Sequence, residues 1–393
     1  MEKKISRFDK ETHRELSDAE KYSVRKHLFG TDDLYPMWVA DMEFEASPAI
    51  VETLRQRIDH KVYGYAMPDE ALLESAVSWF SRRHHIDIPQ KNLRASPSIM
   101  TTMSAAIEAF SNKDDGVITF TPIYPPFMEV VTTQERVLHT VSLRDSDVGF
   151  KIDFQALEAS LEKSKILLLC NPHNPVGRVW NKEELLKIAG LCEKYEVIII
   201  SDDAHSDLIM PEFSYTSITT VSDYAKENSV TLFGPGKGFN ISGLSATLWF
   251  TFSTEMLKKM DKVLKARHIV SGQLIGFNAI KAAYNESETW LDELIPYLDK
   301  NLEYATHRLN SLGKFSVHKP EGTYLLWINC QGLNLSDLKL KEFFVKKAKL
   351  GLSVGRYFGT VGQGYVRMNC AVPFRALEKA IDSIEMALRD LED

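Results

Sequence analysis

Cysteine is scarce in this chain, and the few cysteines do not pair. Cys170, Cys192, Cys330 and Cys370 are the only four in 393 residues, and no two form a CxxC. That spacing excludes a disulfide framework or a thiolate zinc site and fits reduced, buried thiols. Long apolar runs are also missing. The longest are short stretches such as 166–169 and 197–200, far below the about 20 residues of a membrane-spanning helix. Positive charge is not in excess. Lys and Arg total 47 against 54 Asp and Glu, a formal net charge of −7, so nonspecific nucleic-acid binding has no electrostatic support. The first ten residues, MEKKISRFDK, contain no apolar secretory core, and a cytoplasmic location is expected. No internal repeat and no low-complexity segment occurs.

What is present is alternation. Helical spacing covers 48–60 and 70–84, where Leu72, Leu73, Val77 and Phe80 recur at three and four. Apolar runs at 116–120, 166–170, 197–201 and 230–233 read as strands, and helices are expected at 126–133 and 182–195. Continuous apolar strands interleaved with helices predict a parallel sheet covered on both faces. After about residue 286 the pattern changes to a long helix at 290–312, strand-like YLLWINC, a helix at 337–348, strand-like YVRMNC and a closing helix at 376–391. The expected fold is α/β, with a mostly parallel sheet in a large domain, 47–285, and a smaller α+β domain, 286–393. Residues 1–46 form an arm that joins the small domain.

In such a sheet, ligands bind beyond the carboxyl ends of the strands. After 166–170 comes NPHNPVG, whose two Asn-Pro pairs stiffen the loop. After 197–200 comes SDDAHSD, with Asp202 and His205. After 230–233 comes GPGKGFNISGL, with Lys237 among three glycines. Alone, the first is a turn and the second a helix cap. Three successive strand ends offering an amide, a carboxylate and an amine point to one site. The glycines do not form a phosphate loop, because Lys237 is followed by Gly238 and position 231 is Thr. A lysine that forms a Schiff base needs an aldehyde, and the common aldehyde cofactor, pyridoxal phosphate (PLP), needs a carboxylate at its ring nitrogen. Lys237 and Asp202 supply both. The paired residues Arg82-Arg83 and His84-His85 read as the solvated end of a helix rather than a metal site.

The set resembles the fold-type I PLP enzymes, the aminotransferase class I/II superfamily. Within it the chain resembles carbon–sulfur β-lyases of the MalY/PatB type. WVADMEF, VYGY, TPIYPPF, NPHNPVGRVW, SDDAHSDL, GKGFNISGL, EGTYLLW and the stretch from Gly359 to Asn369 keep the order of that group nearly end to end. The resemblance implies a role for each matching residue. Lys237 joins the cofactor and then acts as the base at the substrate Cα. Asp202 pairs with the pyridinium, Asn174 and His205 lie at the ring hydroxyl, and Tyr124 stacks on the ring. Ser98, Ile99 and Met100 offer helix-start amides to the phosphate, and Tyr65 reaches the phosphate of a neighbouring subunit in a homodimer with shared active sites. Arg367 clamps the substrate carboxylate, which Asn174 also touches, while Ala40 and Asp41 line the substrate side.

The implied activity is cleavage of cystathionine or a related cysteine S-conjugate to pyruvate, ammonia and a thiol. The alternative is an aminotransferase using the same groups, and a third reading is a PLP-binding protein with a regulatory role, against which an intact carboxylate clamp speaks. The chain departs from the group at several positions. Gly234 and Gly236 stand where serines are usual, Val176 replaces Thr, Asp203 replaces Glu, Glu43 replaces Asp, and Glu20-Lys21-Tyr22 stands in place of Lys-Trp-Asp. From Gly234 we expect a missing phosphate contact, which Gly234→Ser would restore.

Overall fold

The computed structural model describes residues 6–269 and 272–392. Its central element is a seven-stranded sheet in the order Leu93–Ser96, Thr247–Phe250, Ser229–Phe233, Ile198–Asp202, Ile166–Cys170, Gly116–Thr121, Val137–Ser142. Among these only Thr247–Phe250 runs against its neighbours. The inner strands are apolar because both faces are covered. Ile166, Leu168, Ile200, Val230 and Leu232 pack with Met103 and Ala106 of the helix Ile99–Phe110. Leu167, Leu169 and Ile199 face the other way, against Leu157 of the helix Phe154–Leu161 and Leu185 and Ile188 of the helix Lys182–Lys194.

Local signals fix several helix starts. Asn181 and Glu184 form a capping box at Lys182–Lys194, and Asp69 caps Glu70–His84 through the Leu72 N–H. Register carries the functional consequence. Cys170 lies opposite Asp202, and Asp202 opposite Leu232, so three strand ends stop side by side.

A second, antiparallel sheet joins Ser353–Val354, Tyr365–Asn369, Leu325–Asn329 and Ser316–Val317. The arm docks beside it. Tyr35–Pro36 pairs with Leu350–Gly351, and the Asn369 N–H donates to the Met37 carbonyl. One apolar cluster runs from Phe8 through Trp79 and Phe233 to Leu388, tying arm, large sheet and carboxyl-terminal helix together. Among the described residues, no helix is long and apolar enough to cross a membrane.

The helix end at 82–85 corrects an expectation. It is docked only in part, for Arg82 and His85 remain exposed. Arg83 pairs with Asp292 at 2.7 Å and Arg82 with Glu288 at 3.1 Å. The His84 side chain is 4% exposed, with Nε2 2.9 Å from Asp207 Oδ1. The physical reason is tertiary: the helix Glu288–Ser311 supplies Glu288 and Asp292, and the loop after the strand Ile198–Asp202 supplies Asp207 and Tyr215, whose ring lies edge-on to His84.

Candidate active site

The three strand ends open into a cavity of about 720 Å³. Its wall contains Lys237, Asp202, His205, Asn174, Tyr124, Arg367, Ala40 and the helix start Ser98–Met100. Ten of the sequence-derived site residues therefore meet in one place. Lys237 lies just past the strand Ser229–Phe233, in a loop closed by Phe239 N–H to Pro235 O and Ile241 N–H to Gly236 O. Its Nζ donates to the Ala40 carbonyl at 2.7 Å. Burial pushes its pKa down to about 8, helped by the Arg367 charge and opposed by Asp41 and Asp202.

Asp202 ends its strand and accepts the Ala204 N–H at 3.0 Å. Burial raises its pKa to about 6, against the pull of that N–H and of Lys237. His205 is held neutral by burial and by the nearby Lys237 and Arg367 charges. Arg367, on the small sheet, crosses to the large one. Its Nη1 donates to Asn174 Oδ1 at 2.9 Å and its Nη2 to the Trp38 carbonyl at 2.7 Å. Burial lowers its pKa to about 10, still far above neutrality, so it stays cationic. Ser98 caps the helix Ile99–Phe110 by accepting the Thr101 N–H, which leaves the first amides of that helix facing the cavity.

A family model of aminotransferase class I and II matches residues 38–384. The chain belongs to that family. Cystathionine beta-lyase PatB of Bacillus subtilis is 36% identical over 385 residues, covering 97% of this chain and 99% of that protein. Protein MalY of Escherichia coli is 32% identical, over 92% of this chain and 93% of its own length. Among solved structures, cystalysin from Treponema denticola, which contains a pyridoxal 5'-phosphate cofactor, is 31% identical with a TM-score of 0.95, covering 98% of this chain and all of that one (100%).

Two sequence-derived residues are not at the cavity wall of this family member. Asp41 turns its carboxylate away, to Arg14 at 2.6 Å and Lys21 at 3.1 Å. Lys21 is fully buried and requires counter-charges, which Asp41 and Glu43 supply. Asp41 thus braces the segment that carries Ala40, and its carboxylate is not part of the cavity wall. Tyr65 is wholly exposed, and Val62, Tyr63 and Met67 around it are largely so, because the segment between the helices Pro48–Asp59 and Glu70–His84 projects from the fold.

The glycines around Lys237 also receive a different account. A Cβ on Gly234 would lie 2.5 Å from the Ala246 carbonyl oxygen, and one on Gly238 would lie 3.0 Å from Asp207 Cβ. These positions are glycine because neighbouring backbone and side chain press against them. Gly234→Ser cannot be accommodated here unless the Ala246 carbonyl shifts, which counts against the expectation that it restores a phosphate contact. Ser242, Ser245 and Thr247 line the same end of the cavity and bring hydroxyl side chains there instead.

Sequence reasoning missed Tyr324, although EGTYLLW was among the quoted motifs. Its hydroxyl donates to the Ala40 carbonyl at 3.0 Å. It also missed the backbone of Trp38–Met42 as a structural partner of Arg367 and Lys237, for which no side-chain pattern exists.

The residues present fit PLP. His205 Nδ1 and Arg367 Nε are buried in the site with no partner in the protein, and buried polar groups without partners call for a ligand or water. An anion-seeking helix start, a buried carboxylate and a buried amine complete the donor set.

Proposed function

We propose that the chain is a PLP-dependent carbon–sulfur β-lyase that cleaves cystathionine or a related cysteine S-conjugate to pyruvate, ammonia and a thiol. The observation that carries this reading is the convergence of Lys237, Asp202, Asn174 and Arg367 on one cavity, in a chain that aligns over nearly its whole length with a cystathionine beta-lyase. When bound, PLP supplies an aldehyde for the amine and a ring that withdraws electrons from Cα.

The protein residues divide the remaining work. Ser98, Ile99 and Met100 would hold the phosphate, Asp202 would keep the ring nitrogen protonated, Asn174 and His205 would meet the ring hydroxyl, and Tyr124 would cover the ring. Arg367 fixes the α-carboxylate so that the Cα–H bond faces Lys237. Because the pKa of Lys237 is lowered toward neutrality, Nζ can take that proton and later return it. Loss of the Cα proton and of the β-thiolate breaks one C–H and one C–S bond. The released enamine hydrolyses to pyruvate and ammonia.

The same reading makes the active form a homodimer. Tyr65, exposed in its own chain together with Val62, Tyr63 and Met67, reaches the phosphate site of the neighbouring subunit, and the apolar stretch becomes interface. It also divides the chain into an arm (1–46), a cofactor-holding unit (47–285) and a smaller unit (286–393), with a cytoplasmic location.

The test is product analysis. Incubation with L-cystathionine and with S-alkyl-L-cysteines should yield pyruvate and thiol in equal amounts. Formation of a new amino acid from amino acid and 2-oxo acid pairs, without pyruvate or thiol from any S-conjugate, would replace the lyase by an aminotransferase.

A further inference from the structure

The backbone segment Trp38–Met42 is held carbonyl by carbonyl. Trp38 O accepts from Ser353 Oγ at 2.9 Å and Arg367 Nη2 at 2.7 Å. Val39 O accepts from Asn369 Nδ2 at 2.7 Å. Asp41 O accepts from Asn369 Nδ2 at 2.6 Å and Lys21 Nζ at 3.0 Å. Met42 O accepts from Arg14 Nη1 and Asn240 Nδ2, both at 3.1 Å. Ala40 O accepts from Lys237 Nζ at 2.7 Å and Tyr324 Oη at 3.0 Å. All of these donors but one keep their acceptor whether or not the cofactor is linked. The exception is Lys237, which must leave its acceptor whenever it joins the cofactor.

We propose that the Ala40 carbonyl is the parking site of the Lys237 amine and that Tyr324 is a positioning residue which keeps that carbonyl satisfied while Lys237 is away. This rests on reading Lys237 as the lysine that joins the cofactor. A backbone carbonyl has two lone pairs, and here each has its own donor. When Lys237 is parked, both donors bond the oxygen. When Lys237 is linked to the cofactor, Tyr324 remains, and a buried carbonyl is not left without a partner. Tyr324 suits the task because it is 1% exposed and its ring lies against His205. Ala40 suits it because its segment is pinned on both sides by Asn369 and anchored by the buried Lys21, so the oxygen cannot drift with the departing amine. Parking also serves proton transfer. An amine that has taken the Cα proton becomes an ammonium, and the carbonyl holds it at Nζ until the proton is returned.

The consequence is an unusual sign. Without the Tyr324 hydroxyl, only the linked state leaves Ala40 O unpartnered, so the displaced state gains relative to it. The experiment uses the PLP-loaded full-length protein and L-alanine, an amino acid with no β-leaving group that displaces Lys237 from the cofactor. Tyr324→Phe should bind L-alanine more tightly, by about fivefold, the factor that one neutral hydrogen bond represents. Unchanged or weaker binding overturns the proposal. A measurement on the unaltered protein covers the case in which Tyr324→Phe does not fold. Ala40-Asp41 is the single Ala-Asp pair in the sequence, so carbonyl-¹³C alanine combined with ¹⁵N aspartate labels this one carbonyl. Its resonance should move when L-alanine returns Lys237 to it, and a stationary resonance overturns the proposal. Borohydride trapping separates this from the reading beneath it. Failure to tag Lys237 removes that lysine as the cofactor-linked residue, whereas a tagged Lys237 with a stationary Ala40 resonance removes only the parking site.

Discussion

Arg367 Nη1 donates to Asn174 Oδ1 across 2.9 Å, joining a strand of the small antiparallel sheet to a loop at the end of the large one. The bond places two polar side chains from opposite sheets at one point of the cavity wall. It also sets the plane of the guanidinium, whose other terminal nitrogen is fixed by the Trp38 carbonyl and whose Nε has no partner in the protein. Three separated stretches of chain thus hold the Arg367 guanidinium in place at the cavity wall.

Arg367→Lys should keep the charge and lose the fork. A charge-assisted hydrogen bond contributes about 1.5–3 kcal/mol, so KM for an amino acid substrate should rise about 10- to 100-fold, with a smaller change in kcat. Steady-state kinetics on one S-conjugate decides it, and an unchanged KM would contradict the assignment.

Lys237→Ala should retain the cofactor by its phosphate contacts and lose turnover by at least about 10²- to 10⁴-fold, the range for a removed general base. In the wild type, borohydride reduction and peptide mapping should tag Lys237 alone. The lowered pKa, about 8 against an ordinary 10.5, gives a signed expectation in the cofactor-free chain. A larger fraction of Lys237 than of surface lysines is neutral at about pH 9, so its acylation rate should level off at lower pH than theirs. A pH profile parallel to that of surface lysines would refute it.

Asp202→Ala should lose more activity than His205→Phe. The aspartate holds a charge against the ring nitrogen, while a neutral histidine adjusts only the hydroxyl side. Single-turnover rates and the absorbance of bound cofactor measure both, and equal losses would count against the ranking.

Gly234→Ser should destabilise the protein and should not tighten cofactor binding. The added Cβ meets the Ala246 carbonyl oxygen at 2.5 Å, and overpacking of this kind costs about 1–3 kcal/mol. A lower melting temperature with cofactor release on dialysis no slower than wild type is the expected pair of results. Slower release from a normally stable variant would restore the missing-hydroxyl account.

Mixing an inactive Lys237→Ala chain with an impaired Tyr65→Phe chain should restore part of the activity. If Tyr65 acts across the interface, one site of the mixed dimer collects both defects and the other has neither. If Tyr65 acts within its own subunit, each site keeps one defect and no activity is regained. Full activity in a strictly monomeric protein, measured by light scattering, would rule out shared sites.

The centre of the large sheet and most of the site were legible in the amino-acid order. Apolar runs read at 166–170, 197–201 and 230–233 are the strands Ile166–Cys170, Ile198–Asp202 and Ser229–Phe233, covered on both faces, and the residues just past each run lie at one edge. Local periodicity could not reveal Val137–Ser142, an edge strand with a single buried residue, nor the short Leu93–Ser96 and Thr247–Phe250, which pair across a long stretch of intervening chain. Three further matters arose only when distant segments met. His84 became buried against Asp207 and Tyr215, because a loop far away in sequence closes over that helix end. Asp41 turned toward Lys21, because a buried ammonium must find carboxylates. Gly234 became a packing requirement and the Ala40 carbonyl a partner of Lys237, because backbone atoms carry no sequence signature and their contacts exist only in the folded chain.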